Sequence, residues 1–391
     1  MPEALLKLRL LVVSDEMEVG GTQRQITHML LGLDRDAFEP TLVYFRERSF
    51  FVDQLEAAGI RVVRIDKRRR VDPGFFLRLR GFVAQGGFDV VHCFSITAEL
   101  WGALALATIA PARRPALLSS IRNTYDWEHP LRRRIKAFAA RRSWRVVANS
   151  QAGARGAAQA MGLEPRRLPV IYNGVESDDA GDIDTNAARL RETLSVEAGV
   201  PVVLFVGRLV EHKDVPTLLR AAARLRERGV CALLAGDGPL ASTLQADIDR
   251  LDLHGRVRLL GQRDDTAALM RLSAMVVLPS VSEGLSNVII EAMMQGLPVI
   301  ASRVGGNVEL VGHDATGLLF EPGDDAGLAE CMARLLDDPA LRARLGAAAG
   351  RRAMRDFSVR GMVDAYSTLY RDAALAGRRG AGRALQPSSS S

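Results

Sequence analysis

Short apolar runs rich in Val, Ile and Leu alternate with helical patterns along almost the whole chain, and one acidic interruption splits the alternation into two blocks. In the first block the expected strands are Leu8 to Val13, Thr41 to Phe45, Val62 to Ile65, Val90 to Phe94, Ala116 to Ile121, Val146 to Ala148 and Pro169 to Tyr172. Helical patterns at Thr22 to Leu33, Pro73 to Gln85 and Gln151 to Met161 lie between them. In the second block the expected strands are Pro201 to Val206, Cys231 to Ala235, Val257 to Leu260, Met275 to Leu278 and Pro298 to Ser302. Strands separated by helices run parallel, and the helices cover both faces of the sheet, which is why the strands read as continuous apolar runs. The expected fold class is therefore α/β, with two doubly wound parallel-sheet domains.

The stretch Glu176 to Thr185 is acidic and contains glycine, so it reads as a linker between the blocks or an irregular entry to the second. The expected division is residues 1–175, residues 176–357, a helix over 358–376, and a Gly-, Arg- and Ser-rich tail over 377–391 expected to be disordered. Met362, Tyr366, Leu369 and Tyr370 carry the helical spacing of the third part. Ligands of open parallel sheets bind beyond the carboxyl ends of the strands, so two such domains facing each other would bound a cleft with one ligand on each side.

At 391 residues the chain is long enough for both domains, and its 48% hydrophobic and 25% charged residues suit a soluble globular protein. No run approaches the roughly 20 apolar residues of a membrane span, Leu100 to Ala110 being too short. Leu10 to Val13 reads as a strand and not as part of a signal peptide. Cys93, Cys231 and Cys331 are scattered without metal-ligand spacing, which fits a reducing compartment, and a cytoplasmic location is expected.

The formal net charge of +6 points to an anionic partner. One basic cluster is Lys67-Arg68-Arg69-Arg70. Another runs from Leu131 to Arg145 with no acids and with Leu131, Ile135 and Phe138 at helical spacing. Such a helix can lie on an anionic membrane surface, each cation contributing about 1 kcal/mol there. The alternative is a helix packed through Leu131, Ile135 and Phe138 with a solvated charged face. No aromatic stacking platform accompanies the charge, so no nucleic-acid partner is expected.

The run Ser282-Glu283-Gly284-Leu285-Ser286-Asn287 follows the strand at Met275 and leads into an apolar run carrying Glu291. A glycine-containing turn at a helix start offers unpaired N–H groups and the positive end of a dipole to an anion such as phosphate. Glu291 falls one helical turn beyond Asn287, placed to accept hydrogen bonds from sugar hydroxyls. Acidic residues near a helix start also stabilise it by about 0.3–1 kcal/mol with no ligand. Gly207-Arg208-Leu209 follows the strand ending at Val206, and Lys213 lies just beyond. A planar guanidinium and a mobile ammonium there suit a diphosphate clamp, although exposed cations on loops are usually only solvated. Gly236-Asp237-Gly238-Pro239 is a further turn at a strand's carboxyl end, readable also as plain turn chemistry.

Together with Gly20-Gly21, Asn149-Ser150, Asn173-Gly174-Val175, and Gly305-Gly306 followed by Glu309, these motifs resemble glycosyltransferase family 4, the group 1 glycosyl transferases of GT-B fold, over most of the chain. The resemblance implies two Rossmann-like domains facing across a cleft, with the last helix crossing back to the N-terminal domain. It implies catalytic roles for Arg208, Lys213 and Glu283, the two cations neutralising the donor diphosphate as it departs and Glu283 contacting the transferred sugar. Donor-binding roles fall to Gly207, Gly238, Gly284, Leu285, Ser286 and Asn287, and Glu291 would hold the ribose. Gly20 and Gly21 would approach the donor diphosphate or the acceptor.

The implied activity is retaining transfer of a hexose or N-acetylhexosamine from a nucleotide diphosphate sugar, with a UDP-sugar as the common donor of the group and no metal or other cofactor. The acceptor would be a glycan or lipid-linked saccharide in cell-surface polysaccharide or lipopolysaccharide assembly, reached at the cytoplasmic face of the membrane. The chain departs from the family pattern after Ile121, where many relatives carry His and this chain has Arg122-Asn123. Arg122 is read as an acceptor- or diphosphate-side residue, His92 as a satisfied core histidine, and His129 as a turn residue beside Pro130. The rival readings are a non-catalytic scaffold or binding subunit of the same fold and a sugar-nucleotide epimerase.

Overall fold

The computed structural model describes residues 7–122, 129–176 and 180–384, with the backbone alone for 180–182 and 379–384. Among the described residues twelve strands form two sheets of six. The first contains β1 (Leu8–Val13), β2 (Phe38–Tyr44), β3 (Arg61–Arg64), β4 (Val90–Cys93), β5 (Ala116–Ile121) and β6 (Arg145–Ala148), in the order β3-β2-β1-β4-β5-β6. The second contains β7 (Val202–Val206), β8 (Cys231–Ala235), β9 (Val257–Gly261), β10 (Met275–Leu278), β11 (Val299–Ser302) and β12 (Gly317–Phe320), in the order β12-β11-β10-β7-β8-β9. All the strand pairs are parallel. The two sheets share one topology, and in each the strand order reverses once: between β1 and β4, and between β7 and β10. The carboxyl ends beside such a reversal form the crevice where open α/β sheets bind ligands.

β4, β5, β10, β11 and β12 are buried at every position, as both-face coverage demands. Each fully buried Leu, Val or Ile in these strands contributes about 1.5–3 kcal/mol relative to exposure. Side-chain caps mark several helix starts. Asp72 accepts from the Phe75 amide at 2.9 Å and Ser150 from the Gly153 amide at 3.0 Å, each satisfying a donor that the first helical turn leaves open.

The chain divides into two compact units, one from Val175 to Ser358 and the other formed by the residues before and after it. The last helix, Val359–Ala384, belongs with the first sheet. Met362, Val363, Tyr366 and Tyr370 share one apolar core with Leu10, Val12, Met29 and Leu118. His92 lies at the centre of that join, fully buried, with Nδ1 2.9 Å from the Tyr370 hydroxyl and Nε2 2.9 Å from the Ser120 hydroxyl. The Tyr370 hydroxyl also donates to the Met29 sulfur at 2.9 Å, so it accepts from His92 Nδ1, and Ser120 donates to Nε2. Burial, with Arg122 nearby, holds the His92 imidazole well below the usual histidine range.

Five expectations are corrected. Pro169 to Tyr172 is no strand: it makes one bridge at Val170, through Ala148 N to Pro169 O at 3.0 Å and Ile171 N to Ala148 O at 2.9 Å. Pro169 has no N–H with which to extend that ladder. β12 went unread because a glycine and three apolar residues carry no alternation. Part of the expected linker is helical, in Ala180–Thr193, which buries Ile183 and Ala187 one turn apart and pairs Asp184 with Arg271. The last helix continues through the residues from Gly377 to Ala384, where a disordered tail was expected; residues 385–391 lie outside the described residues.

The fifth correction concerns the basic helix, Pro130–Arg142. Phe138 packs against the core as expected and Ile135 is half-buried, but the fully buried positions are Lys136, Ala139 and Ala140, and Leu131 is exposed. The inward cation is compensated: Lys136 Nζ donates to Glu99 Oε1 at 2.8 Å and to the Ser120 carbonyl at 2.9 Å. No helix among the described residues is long and apolar enough to cross a membrane.

Candidate functional site

The strongest convergence of sequence motifs lies at the carboxyl edge of the second sheet, beside its β7/β10 reversal. β7 leads into Gly207 and Arg208, and a single 3-10 turn over Glu211–Lys213 follows before the helix Val215–Arg224. Asp214 makes the break between them in a left-handed conformation, φ 44°, and accepts from the Thr217 hydroxyl at 2.6 Å. The loop after β10 carries Ser280 and Glu283. The Val281 amide donates to the His212 carbonyl at 2.9 Å, tying the two loops together.

That tie brings Lys213 to Glu283. The ammonium is 2.5 Å from Glu283 Oε1, with the Lys213 and Glu283 side chains only 16% and 10% exposed. Ser280, fully buried, donates to the same oxygen at 2.7 Å. Ser302 of β11 donates in turn to the Ser280 carbonyl, and Asn307 Nδ2 donates to the Ser302 carbonyl at 3.2 Å. A carboxylate held by two donors and backed by a buried polar chain is preorganised, and its geometry need not be assembled when a ligand arrives. Burial first, then the charge of Lys213, hold the His212 imidazole below its ordinary range; Glu283 opposes this and Arg208 adds to it. Arg208 itself is exposed at the mouth of the turn.

Glycines make the close packing of these turns possible. Gly236 adopts φ 146°, and a Cβ there would fall 1.9 Å from the Gly207 carbonyl oxygen. Gly305, at φ 44°, lies equally close to the Glu283 carbonyl oxygen. Any side chain would push the strand-end turns apart and with them Arg208 or Glu283. Gly238 likewise rests on the Leu209 backbone, whose amide donates to the Asp237 carbonyl at 2.9 Å.

The helix Asn287–Met294 starts beyond Gly284 and Leu285. Ser286 caps it, its hydroxyl accepting from the Ile289 amide at 3.4 Å, and that hydroxyl therefore serves the helix. Asn287 opens the helix and Glu291 follows one turn later, partly buried. Gly20, Gly21 and Arg122 belong to the other unit. Gly20 and Gly21 begin the helix Gly21–Gly32 after β1. Arg122 follows β5, its guanidinium carbon 5.7 Å from the Phe94 ring centroid and its buried Nε without a hydrogen-bond partner among the described residues. Burial lowers the proton affinity of that guanidinium, while Tyr366 and Tyr370 act the other way. Asn123 lies outside the described residues. His129 is the exposed residue preceding the helix Pro130–Arg142.

Sequence reasoning missed Ser280, Ser302 and Asn307. Their roles depend on the pairing of β10 with β11, Leu278 opposite Ala301, which no local pattern announces. Among the described residues no group of three His, Cys, Asp or Glu side chains converges as a metal site would require.

Comparison with known proteins bears on both units. The family model described as Glycosyl transferases group 1 matches residues 200–338, and Glycosyltransferase Family 4 matches residues 19–179. The chain is 32% identical to 2-deoxystreptamine glucosyltransferase of Streptomyces kanamyceticus over 54% of its own length and 56% of the relative's. It is 36% identical to the lipopolysaccharide core biosynthesis glycosyltransferase LpsE of Rhizobium meliloti over 46% of its length and 52% of the relative's. The chain thus spans about half the length of the curated relatives it matches. The crystal structure of HepE from Anabaena in complex with UDP-glucose superposes with a TM-score of 0.82 at 26% identity, covering 93% of this chain and 100% of that one.

Proposed function

The chain belongs to the family 4, group 1 glycosyltransferases and has their GT-B fold, and from that premise we propose that it is a retaining hexosyltransferase using a UDP-sugar. The sugar moved would be a hexose or N-acetylhexosamine. The acceptor would be a glycan or lipid-linked saccharide of cell-surface polysaccharide or lipopolysaccharide assembly. The likeness to HepE, solved with UDP-glucose, supports the donor class, and the likeness to LpsE supports the acceptor class.

The observation that carries the reading is the Lys213–Glu283 pair at the sheet's reversal point. In this reading the donor diphosphate lies along the turn from Gly207 and takes Lys213 from Glu283 as its partner. Arg208 adds a planar fork to the same phosphates. As the glycosidic bond breaks, negative charge grows on the leaving diphosphate, and the two cations stabilise it more than they stabilise the ground state. They carry that neutralisation without a metal. Glu283, released from Lys213 and still held by Ser280, accepts from a hydroxyl of the transferred sugar. The amides of Gly284 to Asn287 line the approach of phosphate and sugar, and Glu291 takes the ribose hydroxyls. A donor phosphate oxygen on the departing face helps remove the acceptor proton, so the new bond forms on the face the old one leaves and the configuration is retained.

Gly20, Gly21 and Arg122 serve the acceptor or diphosphate side. The exposed cations of the helix Pro130–Arg142 favour work at an anionic membrane surface, on its cytoplasmic face. A thermal-shift screen against UDP-, ADP- and GDP-sugars tests the donor assignment. A rise in melting temperature with UDP-sugars that disappears in Arg208→Ala is expected. A well-folded protein that responds to no nucleotide would point to the non-catalytic scaffold instead.

A further inference from the structure

Among the described residues, Ser195, Asp214, Asp252 and Asp314 adopt a positive φ without being glycine. Left-handed backbone is disfavoured for any residue with a Cβ, although aspartate tolerates it better than most. Of the four, Asp214 is the one joined to a residue of the Lys213–Glu283 pair. It follows Lys213 directly, at φ 44° and ψ 44°, and both ends the 3-10 turn Glu211–Lys213 and starts the helix Val215–Arg224.

An aspartate at a helix start ordinarily keeps an extended backbone, and its carboxylate accepts from the second or third amide of the helix. Asp214 makes no such cap. The second helical residue is Pro216, which has no N–H. The third amide, that of Thr217, donates to the Asp214 carbonyl at 3.0 Å. The carboxylate takes the Thr217 hydroxyl instead, at 2.6 Å. Thr217 is fully buried, and its hydroxyl accepts from Arg220 Nη2 at 2.8 Å, so its single proton goes to Asp214. Arg220 in turn donates to Asp325 at 3.3 Å. The left-handed link is thus held by a side-chain bond that is itself braced from the next helix.

What the link controls is Lys213. On the near side the turn is fixed by Lys213 N to Val210 O at 3.0 Å, Asp214 N to Glu211 O at 3.0 Å and Val281 N to His212 O at 2.9 Å. On the far side the helix is anchored by buried Val215, Leu218 and Leu219. If Asp214 relaxed to an extended backbone, the displacement would fall on the turn between them. Lys213 has little room for it: its Cε lies 3.8 Å from where a Cβ on Gly207 would fall, and its ammonium is 2.5 Å from Glu283. We propose that Asp214 and Thr217 are positioning residues, which hold the left-handed link and thereby aim Lys213 at the donor diphosphate. The diphosphate is the part that rests on the transferase reading given above.

Calorimetric titration of the full chain with UDP tests this, with the melting temperature of each variant recorded alongside. Thr217→Val keeps the shape of the buried side chain, removes the hydroxyl and should weaken UDP binding at least about fivefold. Thr217→Ser keeps the hydroxyl and should bind UDP within about twofold of the parent. Adding Asp214→Gly to Thr217→Val should restore the affinity, because glycine holds a left-handed conformation unaided. In the Lys213→Ala background Thr217→Val should cost no further affinity, as an effect transmitted through Lys213 requires. A loss that glycine does not relieve, or that adds in full to that of Lys213→Ala, would overturn the positioning role. So would Thr217→Val that melts lower yet binds UDP like the parent, while Lys213→Ala binds it weakly. UDP binding untouched by Lys213→Ala would overturn the donor reading, and the positioning role with it.

Discussion

Lys213 donates to Glu283 across 2.5 Å although 70 positions separate them in the chain, and Ser280 donates to the same carboxylate oxygen at 2.7 Å. If Lys213 takes a donor diphosphate as proposed, the diphosphate must draw the ammonium away from Glu283, and the Ser280 hydrogen bond then keeps the carboxylate in place. Ser280→Ala should therefore lower kcat about tenfold with donor KM nearly unchanged, since a hydrogen bond to a charged group is worth about 1.5–3 kcal/mol. Steady-state kinetics with the preferred donor decide it. A rise in KM at constant kcat would place Ser280 in donor binding instead.

Glu291 occupies a helical position one turn from Asn287. Its part in the account is to bind ribose equally in ground and transition states. Glu291→Ala should raise donor KM about tenfold or more and change kcat little, because uniform binding is what such a substitution removes. An unchanged KM would remove the ribose assignment.

The Lys136–Glu99 pair is buried, with side chains 5% and 1% exposed. Lys136→Met alone leaves Glu99 without its counter-ion and should cost about 3–5 kcal/mol of stability, whereas Lys136→Met with Glu99→Leu should recover most of it. Urea unfolding of the two variants measures this. Equal losses in both would show that the cost lies in packing and not in charge.

His92 is neutral when folded, because burial holds its pKa well below the ordinary 6.5. Below about pH 6.5 the unfolded chain binds a proton that the folded chain refuses, so stability falls with falling pH, by up to about 1.4 kcal/mol per pH unit from this residue. His92→Asn should flatten that part of the profile when urea midpoints are compared from neutral to mildly acidic pH. A slope identical to the parent's would assign the acid sensitivity to other groups.

Much of this architecture is legible in the chain itself. Leu8 to Val13, Ala116 to Ile121, Cys231 to Ala235 and Met275 to Leu278 announce strands at the bounds the structure has, because parallel strands covered on both faces are mostly apolar. Gly317 to Phe320 is too short and too featureless to do so. The acidic stretch that continues into Ala180–Thr193 hides a helix, because carboxylates at a helix start resemble a linker in composition. Lys136 looks like part of a solvated face, and only Glu99, supplied by a different helix, makes its burial possible. Site motifs show the same boundary. Gly207, Arg208, Lys213 and Glu283 stand out because turn chemistry and charge are local, whereas Ser280, Ser302 and Asn307 acquire meaning only through strand register.

The most direct test is titration of the full chain and of Lys213→Ala with UDP and, separately, with uridine. If the turns beside β7 and β10 form a diphosphate site, UDP binds the parent protein and loses at least about tenfold in affinity, about 1.4 kcal/mol, in the variant. Uridine, which lacks the phosphates, should bind the two proteins alike. Equal UDP affinity in parent and variant would contradict the assignment of Lys213, and of the pair it forms with Glu283, to the donor.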